Sequence, residues 1–335
     1  MTHDGDSKPL PGAVCTIHTA NEGAIAQAGA RLRSGGLVAF PTETVYGLGA
    51  DARNGQAVAR IFEAKGRPRF NPLIVHVPDL AQAAEIGRIS PHAERLALAF
   101  WPGPLTLVVE RTMGCGLSDL VSAGLPTIAI RVPDHPVARA LLLAANRPLA
   151  APSANRSGHV SATRAEHVAR DFAHHDVMIL DGGPTAFGLE STIVGVTGDD
   201  AILMRSGAIE TGVIEQVLGR VLPRAGETGD RPNAPGQLAS HYAPKARLRL
   251  NATDARAGEA LLAFGAVVPA CAGQNINLSA AGNLIEAAAN LFASLRALDD
   301  GGVSAIAVMP IPDEGLGEAI NDRLRRAAAP RPPGA

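Results

Sequence analysis

Several polar clusters in this chain could do chemistry, and they share one character: cations, hydroxyls and amides without a clear nucleophile. The stretch KGRPRFNPLIVHV sets Lys65, Arg67 and Arg69 within five residues, followed by Asn71 and His76. A charge run is ordinarily a solvated face. Here Gly66, Pro68 and Pro72 make a rigid loop that runs straight into an apolar strand. His76 alone says little, because a lone His on such a strand is more often structural. In Thr127-Ile-Ala-Ile-Arg131, strand alternation puts Thr127, Ala129 and Arg131 on one side. An Arg on an otherwise apolar strand needs an anion or a carboxylate partner.

The stretch PTETVYGLGAD offers Thr42 and Thr44 beside Gly47 and Gly49, which let backbone approach a ligand. APSANRSG supplies Ser153 and Asn155, with Ser161 close behind; such residues also form ordinary turns. GLESTIVGV adds Ser191 and Thr192, and LMRSG adds Arg205. The chain has no GxxxxGK[ST], GxSxG or HExxH, and GLGADA lacks the third glycine of a dinucleotide fingerprint. Such donors suit phosphates and carboxylates, with catalysis by positioning and charge stabilisation.

The elements that must hold these residues follow from periodicity and punctuation. Helical spacing or boundaries predict helices from residue 21, over 57–64, 81–87, 92–100, 137–145, 163–172 (opened by a Thr163–Glu166 capping box) and 209–218. Short apolar runs predict strands at 37–40, 73–77, 105–109, 127–132, 148–151, 177–180, 191–196 and 201–204. Residues 1–20 read as a loose lead-in. The polar clusters fall just after strand ends, where open α/β sheets place ligands. The aperiodic stretch LPRAGETGDRPNAPGQLASHYAPK marks a linker. Beyond it the order is strand 248–250, helix 256–264, strand 266–268, helix 280–297, strand 304–309, helix 317–328. The expected fold is α/β, a twisted mixed sheet over residues 20–220. A linker or lid follows at 221–245, then a smaller Rossmann-like βαβ domain at 246–330.

Composition narrows the class. The 335 residues exceed one typical domain, and 46% hydrophobic with 19% charged fits a globular chain. With 3% aromatics, the core must be Ala, Val, Leu and Ile. A net charge of −2, without aromatic–basic interleaving, argues against a protein whose main work is coating nucleic acid. Cys15, Cys115 and Cys271 lie too far apart for a CxxC pair or disulfide framework. The polar opening MTHDGDSKPLPG and the lack of a long apolar run predict a cytoplasmic protein without membrane association.

The motifs PTETVYGLG, KGRPRFNPLIVHV, FWPGPLTLV, AIRVPDHP, PLAAPSANRSG and GLESTIV, in that order, closely resemble the YrdC-like threonylcarbamoyl-AMP synthases, over roughly residues 20–218. PGQLASHYAP and GLGEAINDRLRRAA resemble the longer, two-domain form. The resemblance implies that ATP, L-threonine and bicarbonate give threonylcarbamoyl-AMP and pyrophosphate. It also implies a downstream tRNA threonylcarbamoyl transferase complex acting on tRNAs that read ANN codons, with at most weak tRNA contact. The family's catalytic set falls on Lys65, Arg67, Ser153 and Asn155. Threonine binding falls on Thr44, His76, Arg131, Ala151 and Ser191. ATP binding falls on Arg67, Asn71, Thr127, Ser153, Ser161 and Arg205, with His241 and Tyr242 from a closing linker. Magnesium is expected with the triphosphate, held largely by phosphate and water. A carbamoyl-transfer module of the hydrogenase-maturation type has less support, because the zinc-finger and acylphosphatase segments are missing.

Overall fold

The computed structural model describes residues 14–226, 240–271 and 273–330. A ten-stranded mixed sheet organises the first part. Its spatial order is Thr16–Thr19, Val177–Asp181, Leu37–Phe40, Gly47–Asp51, Leu149–Ala150, Ile74–His76, Thr127–Arg131, Leu105–Glu110, Thr192–Thr197 and Asp200–Arg205. One face is sealed by Gly55–Lys65, Pro91–Phe100, Ala165–Asp171 and Thr211–Leu218 over a core that includes Ile61, Leu96, Val168 and Ile214. On the other face, Glu22–Arg33 and Pro136–Ala145 cover one end through Ala28, Leu32, Leu141 and Leu142. The rest of that face carries Ile74, Val108, Ala129 and Ile193 and remains the floor of a cleft.

Two elements were hidden in the sequence. Residues 16–19, expected as lead-in, pair parallel with Val177–Asp181 as an edge strand; its Thr-Ile-His-Thr pattern is largely exposed and gives little apolar signal. The presumed ligand loop GLGAD is instead a fully buried strand. Its Gly49 lies against Phe40, where an added Cβ would stand 2.8 Å from the ring. Gly49 serves strand packing, which disposes of the dinucleotide resemblance, while Gly47 lines the cleft. The Thr163–Glu166 capping box is not made. Arg164 is the N-cap without a side-chain bond, and the Thr163 amide faces His167 Nδ1 instead.

The second sheet is wholly parallel, in the order Arg247–Arg249, Ala305–Val308, Glu259–Ala263, Asn275–Asn277, packed by Leu284–Asp300 and Leu316–Ala328. The helix expected over 256–264 is a correction: Glu259–Ala263 is a central strand buried at every position. A short all-apolar run cannot be told from a buried helix by period alone. The strand expected at 266–268 is likewise absent, and the true neighbour, Asn275–Asn277, is polar and was passed over. Among the described residues, no helix is long and apolar enough to cross a membrane.

Candidate functional site

Asn54 caps the helix Gly55–Lys65, its side chain accepting from the Gln56 and Ala57 amides. Gly66 ends it in the left-handed region at φ 59°. That C-cap turns Lys65 inward on the last helical turn and starts the loop that carries Arg67. Lys65 Nζ donates to the Ser153 carbonyl at 2.6 Å and to the Asn155 carbonyl. Arg67 donates to Asn71 Oδ1 at 2.6 Å, to the Pro72 carbonyl at 2.8 Å and to the Asn71 carbonyl at 3.2 Å. These acceptors are all neutral. Burial pushes Lys65 well below the usual lysine range, and neighbouring Arg67 pushes the same way. Burial likewise lowers Arg67 to about 9. The solvated-face alternative is thereby excluded for both. Arg205, also lowered by burial, donates to the Ser191 carbonyl at 2.7 Å and to Ser191 Oγ at 3.2 Å.

His76 and Arg131 are directly paired across two parallel strands, so both project onto the uncovered face. Arg131 donates to Thr44 Oγ1 at 2.8 Å, to Glu43 Oε1 at 2.5 Å and to the Gly103 carbonyl at 3.3 Å. Glu43, which the sequence did not flag, is the carboxylate partner that a buried Arg requires; its other oxygen accepts the Asp134 amide at 3.1 Å. Two guanidinium N–H groups of Arg131 remain available, since five are present and three are used. His76 lies edge-on to Phe40, and its Nδ1 has no partner. Ser191 Oγ pairs with Thr106 Oγ1 at 2.7 Å. The Ala151 amide is spent on the Ile74 carbonyl at 2.9 Å, so Ala151 lines the cleft without a free N–H.

The linker residues reach this cleft. His241 and Tyr242 are buried and line it together with Thr44, Arg67, His76, Arg131, Ser153, Ser191 and Arg205. The His241 amide donates to the Arg326 carbonyl at 3.2 Å, and the Ala243 amide to the Gly158 carbonyl at 2.8 Å, strapping the segment to both domains. Tyr242 stacks on Phe292 with 5.5 Å between centroids. His241 Nδ1 and the Tyr242 hydroxyl are buried and unpartnered. Three such atoms (with His76 Nδ1) belong to residues that line one cleft, and buried polar groups of this kind call for a partner. Of the expected linker or lid over 221–245, residues 227–239 lie outside the described residues; His241 and Tyr242 line the cleft, whereas Ala243, Pro244 and Lys245 line a separate hollow.

Other expected site residues stand further back. Asn71 and Asn155 brace the Arg67 loop and the 153–159 loop, the latter through Asn155 Nδ2 to the Arg156 and His159 carbonyls. Ser161 Oγ donates to Glu190 Oε1 at 2.5 Å, behind the cleft wall. Thr127 does not enter the cleft; it lines a shallow apolar hollow with Val108, Gly195, Ile202 and Met204, on the same face as Ala129 and Arg131. Glu190, paired with Arg323 of the second domain at 2.9 Å, is a further lining residue that sequence reading missed. It had a faint signal: a carboxylate within the GLESTIV motif itself. Among the described residues no group of three or more His, Cys, Asp or Glu could hold a metal, and Glu43 and Glu190 are both ion-paired.

Burial fixes the sign of a pH effect. His76 is lowered from 6.5 to about 3 by burial and then by Arg131; His241 is lowered well below 6.5 by burial and then by Arg67. The unfolded chain therefore binds protons that the folded chain refuses. The contribution of His76 is fully present above pH 6.5 and is lost as pH falls toward about 3, and that of His241 is lost in the same direction below pH 6.5. Each such His gives a slope of about 1.4 kcal/mol per pH unit inside that window. Urea midpoints should drop clearly from pH 7 to pH 5, and less so in His76→Phe. A flat profile, or an undiminished slope in the variant, would contradict this account.

A family described as telomere recombination, the Sua5/YciO/YrdC group, matches residues 30–207. The threonylcarbamoyl-AMP synthase C-terminal domain matches residues 209–329. A Bacillus subtilis threonylcarbamoyl-AMP synthase is 41% identical over 93% of this chain and 94% of its own. One from Pyrococcus abyssi is 40% identical over 90% and 92%. The crystal structure of P. abyssi Sua5 complexed with L-threonine superposes with TM-score 0.85 at 37% identity, covering 94% of this chain and 97% of that one.

Proposed function

The chain belongs to the threonylcarbamoyl-AMP synthase family in its two-domain form, and from that premise we propose how its cleft joins ATP, L-threonine and bicarbonate. The reaction gives threonylcarbamoyl-AMP and pyrophosphate, in the service of N6-threonylcarbamoyladenosine formation in tRNAs that read ANN codons. The observation that carries the assignment of roles is the pair Lys65 and Arg67, buried cations whose acceptors are only carbonyl and amide oxygens. Such charges are costly to bury unless an anion joins them.

The threonine α-amine and bicarbonate first give a carbamate and water. A carbamate oxygen then attacks the α-phosphorus, and the bond to the departing pyrophosphate breaks: a nucleotidyl transfer. Lys65, Arg67 and Arg205 neutralise the triphosphate and the charge that builds at phosphorus. The two spare N–H groups of Arg131 take the threonine carboxylate, while Thr44, Ser191 and the neutral His76 surround the amino acid. The nucleoside end lies toward the apolar hollow of Val108, Met204 and Thr127, reached along the same sheet face. Thr127 would then serve as an ATP contact outside the cleft proper. Magnesium enters as part of the metal–nucleotide substrate, consistent with the paired state of Glu43 and Glu190. His241 and Tyr242 exclude water from a carbamate that water would destroy. The adenylate is then handed to a separate tRNA threonylcarbamoyl transferase complex.

Incubation with ATP, labelled bicarbonate and threonine should yield label in a threonine adduct of AMP, one pyrophosphate per adduct. ATP consumed without label incorporation, or regardless of threonine, would overturn the reading. Arg131→Lys should raise the threonine KM by about 10–100-fold with ATP-analogue affinity nearly intact, because a point charge replaces a two-pronged donor. Equal losses for both ligands would remove Arg131 from the threonine site. Arg131→Ala is the poorer variant, since stranding buried Glu43 would cost about 3–5 kcal/mol of stability.

A further inference from the structure

The last helix, Leu316–Ala328, buries one arginine completely: Arg323 has no exposed surface. Its Nε donates to Glu190 Oε2 at 2.9 Å, its Nη1 to Asp322 Oδ2 at 2.7 Å, and its guanidinium lies 5.2 Å from the Tyr242 ring centroid. Glu190 and Tyr242 both line the cleft, on opposite sides of the domain boundary. Glu190 is held at its other oxygen by Ser161 Oγ, and the next residue, Ser191, gives its carbonyl to Arg205. Three residues along the same helix, the Arg326 carbonyl takes the His241 amide. One helical turn thus touches the cleft wall, the Tyr242 ring and the His241 backbone.

Domain docking does not require this arrangement. Arg170–Asp300 and Arg224–Glu318 join the domains at the surface, and Arg296 grips Asp171 with both carboxylate oxygens while reaching the Val160 and Ser161 carbonyls. None of these pairs involves a residue that lines the cleft. Arg323 differs because two of its partners do.

We propose that Arg323 is a positioning residue of the active cleft, through which the second domain fixes Glu190 and Tyr242 and so holds the linker in its water-excluding place. This rests on the reading of the cleft given above. Arg323 touches no reacting atom in this account; it acts through the carboxylate and the ring.

The test uses the full chain with Arg323→Met, Arg323→Lys, Glu190→Gln and the Arg323→Met/Glu190→Gln double variant. Arg224→Met, which breaks an exposed contact to the same helix, is the control. Arg323→Met should lower kcat roughly 30–100-fold, as a small misplacement of positioned groups does. ATP-analogue affinity should stay within about threefold, giving a kcat effect without a matching binding effect. Arg323→Lys should recover part of the rate, and the double variant should lose little beyond the worse single one. Hydrogen exchange gives a readout independent of activity. Peptides spanning 240–244 should lose protection in Arg323→Met while those from the last helix keep theirs, and neither should change in Arg224→Met. Wild-type kcat in Arg323→Met, or protection lost along the whole helix together with the linker, would overturn the proposal and leave Arg323 an ordinary docking residue. If the wild-type chain makes no adenylate, the functional reading fails, while the exchange result still decides whether Arg323 holds the linker.

Discussion

Lys65→Met and Arg67→Met should each lower turnover and pyrophosphate release by roughly 100–1,000-fold, the scale of removing one preorganised charge from a developing anionic transition state. Both side chains are buried, two residues apart, and neither has a carboxylate within the bonds that hold it. Both groups are aligned by carbonyl and amide oxygens before any ligand arrives, so little reorganisation is needed when phosphate charge develops. The threonine KM should change little, because Arg131, His76 and Thr44 stand on other elements. Stopped assays of pyrophosphate would check this. Near-wild-type turnover in both variants would mean the two cations serve only the loop.

The first domain was legible where period and punctuation agreed. Glu22–Arg33, Gly55–Lys65 and Pro136–Ala145 carry their apolar residues at helical spacing, and each has a side-chain N-cap, from Asn21, Asn54 and His135. The site was legible because Lys65, Arg67, His76 and Arg131 fall in short ordered motifs that carry the family resemblance, although Lys65 and Arg67 stand at a helix end and His76 and Arg131 within strands. What stayed hidden depends on contacts distant in sequence. Glu43 looks like one polar residue among threonines until Arg131, 88 positions away, is placed against it. Glu190 and Arg323 are 133 positions apart, and nothing local predicts their pairing. In the second domain, Glu259–Ala263 reads as EALLA, a good helix former by propensity. Burial on both faces between Ala305–Val308 and Asn275–Asn277 makes it a strand, so tertiary packing overrode propensity there.

A chain ending near Leu222 should retain much of its ATP-analogue affinity yet make threonylcarbamoyl-AMP at least about 100-fold more slowly. The cations proposed to meet phosphate, Lys65, Arg67 and Arg205, all precede the cut. What it removes is the cover. Val45, Val160 and Leu189 share a buried cluster with Tyr242, Leu291 and Phe292, so truncation bares an apolar patch beside the cleft. It also strands Glu190 and Asp171, which lose Arg323 and Arg296. Association of the shortened chain through that patch is therefore expected, and gel filtration would reveal it. A milder variant separates loss of cover from loss of folding. Tyr242 holds a positive φ of 63°, a conformation that glycine adopts freely. Tyr242→Gly in the full chain relieves that backbone while deleting the ring stacked on Phe292 and lying under Arg323. The segment keeps its backbone bonds to Gly158 and Arg326 but no longer seals the cleft. Water should then reach the carbamate, so ATP and threonine remain bound while the yield of adenylate per bicarbonate captured falls. Full adenylate yield from both Tyr242→Gly and the shortened chain would show that the cleft needs no cover and that the linker only tethers the second domain.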